Sequence, residues 1–265
     1  MASVGATLFW GAEAIWEAVV SGLPGFTIDI LPEIDSTNSE LMRRAKAGYT
    51  EPTLLVAEHQ TAGRGRLGRV WHDHGAGGKP VALMFSLGLQ LGPKDWSGLS
   101  LAVGLSVAQS LHPDLRLKWP NDIWFGQRKM AGILIETASL PASQPAGLGR
   151  YVVIGIGINL AIPDADGLTT APAGLAEVLP GFDAAQTLAR LIPPLVAQIK
   201  RFEEHGFGVF QAAFLQRDGL QGLQVDLSDG QNGWARGVDE TGALLVHTSG
   251  GLQKITSSQV SVRPA

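Results

Sequence analysis

A glycine-rich run, Gly63-Arg64-Gly65-Arg66-Leu67-Gly68, follows the apolar segment TLLVAEH at 53–59 and constrains the chain more than any other feature. Its letters match the G-x-G-x-x-G of dinucleotide-binding folds, in which a helix opens directly after the turn. No helix can open here. The continuation Arg69-Val70-Trp71-His72-Asp73-His74-Gly75 has no helical period and no capping residue. A doubly wound sheet around this turn is therefore set aside. What remains is a loop whose glycines let backbone N–H groups converge on one point, with Arg64, Arg66 and Arg69 offering planar forks of donors. It suits phosphate or carboxylate oxygens. A solvated, RNA-binding basic loop is the other reading of the same residues.

Periodicity places the remaining elements. Short helices are expected at 11–20 and 38–47, the latter started by a Thr37-Asn38-Ser39-Glu40 capping box and closed by Gly48. Strands are expected at 26–32, 53–59, 80–89, 115–119, 123–125, 129–136 and 151–160, with loop over 60–79 and a flexible connector over 138–150. A helix spans 95–111 and ends at His112-Pro113. Another spans 184–205, where Pro193-Pro194 should kink or split it, and a last one spans 207–217. From Leu220 onward only short strands and Gly-rich turns follow, which reads as a small separate barrel with its boundary near 218.

Composition removes whole classes of chemistry. Cysteine is absent, so disulfides, thiolate nucleophiles and Cys-ligated zinc are excluded. A net charge of −4 argues against a broadly basic nucleic-acid surface. No apolar run is long enough to span a membrane, and the start, with Glu13 and no basic segment, does not read as a secretory signal. A cytoplasmic location is the expectation. His72-Asp73-His74 lacks further His at ligand spacing and reads as a polar loop, not a metal site.

The arginine loop has companions. Lys118-Trp119-Pro120-Asn121-Asp122 ends one strand, Arg128-Lys129-Met130-Ala131-Gly132-Ile133-Leu134 begins another, Gly155-Ile156-Gly157-Ile158-Asn159 ends a third, and Ser36-Thr37-Asn38 starts a helix. In order and spacing these resemble the biotin protein ligase family from Ser36 to about Asn159, and the tail resumes the resemblance at 236–246. GRGRLGR, KWPND and RK-x-AGIL are each fairly specific, and all three together are strongly so.

The resemblance implies an α+β fold: a class II synthetase-like mixed sheet with flanking helices over 1–217 and an SH3-like barrel over 218–265. It implies ATP-dependent activation of biotin to biotinyl-adenylate, with Mg²⁺, then transfer to a lysine of a biotin carboxyl carrier protein. Lys129, Arg66 and Asp122 become the catalytic candidates: Lys129 bridges carboxylate and α-phosphate, and Asp122 orients the incoming amine. Biotin falls to Ser36, Thr37, Asn38, Gln60, Arg64, Gly65, Arg66, Lys129, Gly155 and Gly157, the two strand glycines leaving room for a flat ligand. ATP falls to Arg64, Arg66, Arg69, Lys118, Asn121, Lys129 and Asn159. Asn159 reads an adenine edge, Arg263 is a further nucleotide contact, and Asn121 is the one candidate protein ligand for Mg²⁺.

The chain also departs from the family. About 35 residues precede Ser36, too few for the DNA-binding winged helix that many members carry, so a monofunctional enzyme without a DNA partner, monomeric or homodimeric, is expected. Gly77-Gly78-Lys79-Pro80-Val81 stands where the family has a Gly-Asn-Leu-Tyr-like stretch. A lipoate–protein ligase is the nearest alternative, and a biotin-sensing regulator without activity is the alternative from another class.

Overall fold

The computed structural model of the protein describes residues 10–71, 81–138, 149–164, 168, 170–256 and 262–264. The elements are α1 (Ala12–Val20), β1 (Thr27–Ile34), α2 (Thr37–Lys46), β2 (Thr53–Gln60), β3 (Ala82–Leu91), α3 (Leu99–Leu111), β4 (Leu115–Lys118), β5 (Asp122–Phe125), β6 (Arg128–Ala138), β7 (Arg150–Asn159), α4 (Ala184–His205) and α5 (Gln211–Leu215). The C-terminal strands are β8 (Gln224–Leu227), β9 (Asn232–Val238), β10 (Leu244–Thr248), β11 (Gly251–Ile255) and β12 (Val262–Pro264). The first seven strands form one mixed sheet in the order β1-β2-β3-β7-β6-β5-β4. Within it β1 and β2 run parallel and the other neighbours antiparallel. The last five form an antiparallel sheet in the order β11-β10-β9-β8-β12. This is the expected α+β architecture. The connector expected at 138–150 and the residues His72-Asp73-His74 and Gly77-Gly78-Lys79-Pro80 lie almost wholly outside the described residues.

Strand β7 shows how the two faces of the large sheet differ. Val152, Ile154, Ile156 and Ile158 alternate onto one face and join the main core with α1, α3 and α4. Tyr151 and Val153 alternate onto the other face, where they pack with Leu41 and Ala45 of α2. Next on that second face come Gly155, Gly157 and Asn159. The strand thus passes, within a single alternation, from side chains that fill this face to glycines that leave it low.

Four local expectations are corrected. The cap of α2 is Ser36, whose Oγ accepts from Ser39 N at 3.4 Å, so Thr37 is the first helical residue and not the cap. Glu40 does not close a capping box, because its carboxylate takes Arg43 and Arg44 instead. Helix α4 is not split at Pro193 and Pro194 but continues as one helix of 22 residues. Its buried stripe of Leu188, Leu191, Ile192, Leu195, Val196 and Ile199 outweighs the backbone bonds that the prolines remove. The segment expected as a helix over 207–217 is a 3-10 turn at Phe207–Phe210 followed by the five-residue α5, and α3 begins at Leu99 rather than 95.

The junction between the sheets is hydrogen-bonded to the edge of the large one. Leu117 N donates to Arg217 O at 2.8 Å, and Gly219 N donates to Leu117 O at 2.8 Å. Between them sits Asp218. Its Oδ1 accepts from Leu220 N at 2.8 Å, while its buried Oδ2 has no partner among the described residues. Burial pushes its carboxyl up to about 6 from an ordinary 3.8. The folded chain therefore holds this proton more tightly than the unfolded one. The charged form costs stability above about pH 6, and the cost disappears as pH falls toward 3.8. Asp218→Asn should raise the melting temperature by about 2–4 °C at pH 8 and by much less at about pH 4, measured by calorimetry at both pH values. An equal change at both would contradict the buried-charge account.

Candidate active site

Across the large sheet, register aligns Met84 with Gly157, Gly157 with Gly132, Gly132 with Asp122, and Asp122 with Lys118. Two glycines in the middle of such a row make a trough, with an acid and a base on its bank. The indole of Trp71 lies in this trough. A methyl group on Gly157 would overlap its ring, and one on Gly132 would come within 3.1 Å of Cζ3. Gly155, in the neighbouring row, is covered by the Asn38 amide, which an added methyl would strike. The glycines expected to face a flat ligand therefore carry two of the chain's own side chains. The Trp71 Nε1–H is buried with no partner among the described residues, so one donor in the cleft wall is unused.

Lys129 reaches the trough through a bulge. Ile123 pairs with Ala131 but Trp124 pairs with Lys129, so Met130 is an extra residue in β6. Plain alternation would put Lys129 and Gly132, three positions apart, on opposite faces. The inserted residue reverses that parity. Met130 is turned fully into the core, and Lys129 Nζ lies 2.7 Å from Asp122 Oδ1 and 5.7 Å from the centre of the Trp71 ring. The Lys129 backbone is fixed as well: its N–H donates to Ala171 O at 2.8 Å and its carbonyl accepts from Ala173 N at 2.8 Å. The Asn159 amide donates to the carbonyls of Lys129 and Ala173, so this side chain braces Lys129 instead of presenting its N–H groups to the cleft.

Charges in the cleft are held apart by counter-ions and burial. Asp122 sits between two lysines, with Lys118 Nζ 3.9 Å from its Oδ2. Lys118 is only 12% exposed. Burial pulls its ammonium down to about 8 from an ordinary 10.5; Asp122 opposes that shift, while Lys129, Arg69 and Arg66 add to it. The arginine loop does not form the open nest expected from its glycines. Gly63 to Trp71 is a tight hairpin: Gly65 N donates to Arg69 O at 2.7 Å, Trp71 N to Gly63 O at 3.0 Å, and Leu67 takes a left-handed φ of 57° at the tip. Arg64 is paired to Glu136 at 2.9 Å, and Arg66 donates to Asn121 Oδ1 at 3.2 Å, so these two arginines point to different partners rather than to one point.

At the other end the cleft is neutral and polar. Gln60 Oε1 accepts from Thr37 N at 2.7 Å and from Thr37 Oγ1 at 3.1 Å. Ser86 Oγ lies 2.7 Å from Thr37 Oγ1 and 2.6 Å from Asn38 Oδ1, and the Asn38 amide donates to Glu136 Oε2 at 2.9 Å. Every candidate named from the sequence, from Ser36 at the cap of α2 to Arg263 on β12, lines this one cleft. Trp71, Glu136 and the fully buried Ser86 were not singled out. Trp71 ends the arginine motif and was a legible signal, but the other two carry none. No group of three or more His, Asp or Glu that could hold a metal ion occurs among the described residues.

Comparison with known proteins decides what this cleft belongs to. The chain matches the Biotin/lipoate A/B protein ligase family over residues 30–159 and the Biotin protein ligase C terminal domain over 223–263. It is 32% identical to the Bifunctional ligase/repressor BirA of Escherichia coli K12, over 93% of this chain and 77% of that protein. The chain belongs to the biotin protein ligase family. It is 30% identical to the Biotin--[acetyl-CoA-carboxylase] ligase of Paracoccus denitrificans, over 87% of this chain and 98% of that one. The biotin protein ligase of Aquifex aeolicus in complex with biotin and ATP superposes with a TM-score of 0.76 at 29% identity, over 90% of this chain and 99% of that one. The two family matches divide as the two sheets do, the first ending at Asn159 on β7 and the second running from just before β8 into β12.

Lys118 gives this ligase cleft a pH signature. Its folded value lies below that of a free lysine, so the unfolded chain holds the proton more tightly. The charged form costs stability below about pH 8, and the cost fades as pH rises toward 10.5. Lys118→Met should therefore raise the melting temperature at pH 7 while weakening ATP binding. In the unsubstituted protein, ATP affinity should fall as pH rises through 8, as calorimetric titration at pH 7 and 9 would detect. A destabilised Lys118→Met protein with unchanged ATP affinity would contradict this placement of charge.

Proposed function

We propose that this chain activates biotin with ATP and passes the biotinyl group to a lysine of a biotin carboxyl carrier domain, with residues 1–217 as the catalytic unit. The observation that carries the reading is the Lys129–Asp122–Lys118 cluster on the bank of the glycine trough, in a chain of this family. Joining a carboxylate to a triphosphate brings anions together, so the barrier is mostly charge and positioning. Lys129 supplies a point charge between the biotin carboxylate and the α-phosphate. Arg66, Arg69, Lys118 and Asn121 take the rest of the nucleotide. Thr37, Gln60 and Asn38, with Ser36 at the helix cap, suit the neutral ureido ring, and Arg64 and Gly65 close over that end.

In the first step a carboxylate oxygen of biotin forms a bond to the α-phosphorus and pyrophosphate leaves. In the second, the lysine amine forms a bond to the acyl carbon, the bond to the phosphate oxygen breaks, AMP leaves, and the proton lost by the amine passes to solvent. Asp122 is placed to accept a hydrogen bond from that amine. The Arg64–Trp71 hairpin keeps water from the acyl-phosphate between steps. Mg²⁺ enters as the ATP salt. With no acidic cluster to cage it among the described residues, Asn121 Oδ1 and Asp122 are the protein oxygens at that end. Asn159 acts through the Lys129 backbone. The setting is the cytoplasm.

The C-terminal match to a biotin protein ligase domain favours biotin over the lipoate alternative. The intact Lys129–Asp122 pair favours an enzyme over a sensor. With biotin, ATP, Mg²⁺ and a purified carrier domain, the chain should label one carrier lysine, as intact-mass analysis would record. Lys129→Ala should fold and cut biotin-dependent pyrophosphate release by on the order of a hundredfold or more, the roughly 3–4 kcal/mol that one preorganised charge supplies. Release at the rate of the unsubstituted protein would remove Lys129 from the mechanism.

A further inference from the structure

Trp119 follows Lys118, is 1% exposed, and is not part of the cleft wall. Its Nε1–H donates across 123 positions to the carbonyl of Gly242, at 3.0 Å, in the turn between β9 and β10. That turn is itself rigid. Asp239 Oδ1 accepts from Thr241 N, Thr241 Oγ1 and Ala243 N at 2.9, 2.7 and 3.0 Å, and Asp239 Oδ2 pairs with Lys254 at 2.8 Å. Gly242 has a φ of +83°, and an added methyl group would come within 2.9 Å of Gly98 Cα, so only glycine seats this carbonyl against the large domain. On the other side of Lys118, the backbone of Leu117 is bonded to Arg217 and Gly219. The segment 117–119 is therefore held by the C-terminal region at both ends, with Lys118 between the two grips.

We infer that Trp119 is a positioning residue through which the C-terminal sheet sets the nucleotide end of the cleft. Its hydrogen bond to Gly242 fixes where Lys118 and Asp122 stand relative to the trough. The polar end of the cleft is built from α2, β2 and β3 and is held by its own bonds, Thr37 to Gln60 and Ser86 to Thr37. Loosening the clamp therefore disturbs ATP and spares biotin. A residue that served only to fill the core would disturb both or neither. This inference rests on the ligase reading above.

The test uses the whole chain with Trp119→Phe, Asp239→Ala and the double variant. Phenylalanine keeps most of the buried ring but removes the donor, whereas Asp239→Ala loosens the turn from the far side of the bond. Pyrophosphate release is measured against ATP concentration at saturating biotin, and biotin binding by calorimetry without ATP. Each single variant should raise KM for ATP about five- to tenfold, as loss of one buried hydrogen bond allows. Kcat and biotin Kd should stay within about twofold. The double variant should be no worse than the worse single, because both act through one bond. An unchanged KM in either folded variant, equal losses for ATP and biotin, or multiplicative losses in the double would each overturn the inference. Should Trp119→Phe fail to fold, the same split in Asp239→Ala decides. Absence of biotin-dependent pyrophosphate release from the unsubstituted chain would instead overturn the ligase reading, and this inference with it.

Discussion

The register that places Gly157, Gly132 and Asp122 side by side across three strands is the constraint on which the site depends. A sheet face covered by ordinary side chains leaves no space for a ligand, and a face of glycines alone offers no chemistry. The transverse row supplies both, a low glycine floor on which the Trp71 indole lies and then an acid and a base at its edge. Because strand side chains alternate, slipping any of these pairings by one residue would bury Asp122 or lift the glycines out of the floor. The bulge at Met130 adds the one feature that regular pairing cannot give. It turns Lys129 onto the face of Gly132 while the rest of β6 keeps its core contacts.

The electrostatics follow from that geometry. Asp122 is shared by Lys129 and Lys118, Arg64 is held by Glu136, and Arg66 leans on Asn121. The positive charge needed to receive a triphosphate is thus kept in place by weak or shared partners, which an incoming polyanion can displace. Lys118 bears the cost: its burial holds its ammonium near the point of losing its proton, which an anion beside it would reverse. Thr37, Gln60 and Ser86 at the other end are neutral and hydrogen-bond one another, which suits an uncharged ring.

Local signals in the sequence carried most of the fold. The alternation of YVVIGIGIN, the turn glycines and the apolar periods of α1, α2 and α4 depend on near neighbours and are legible there. The same holds for the candidate residues as a set, since all but Gln60 and Arg263 lie within a short motif and all of them line the cleft. What was not legible is non-local. The bulge at Met130 exists only through pairing with β5. Glu136 meets Arg64 across 72 positions, and Trp71 lies over Gly157 through a chain reversal that no period encodes. Pro193-Pro194 misled for the same reason: the rule they follow is local, whereas the packing that overrides it comes from the core of the large domain.

The central claim is that this trough is built for a biotinyl-adenylate. The most direct measurement offers the protein equal concentrations of biotin and lipoate with ATP and Mg²⁺ and identifies the enzyme-bound product by mass spectrometry. The account predicts the mass of biotinyl-adenylate, bound tightly enough to survive desalting, with no lipoyl counterpart. A lipoyl-adenylate, or no acyl-adenylate at all, would contradict it.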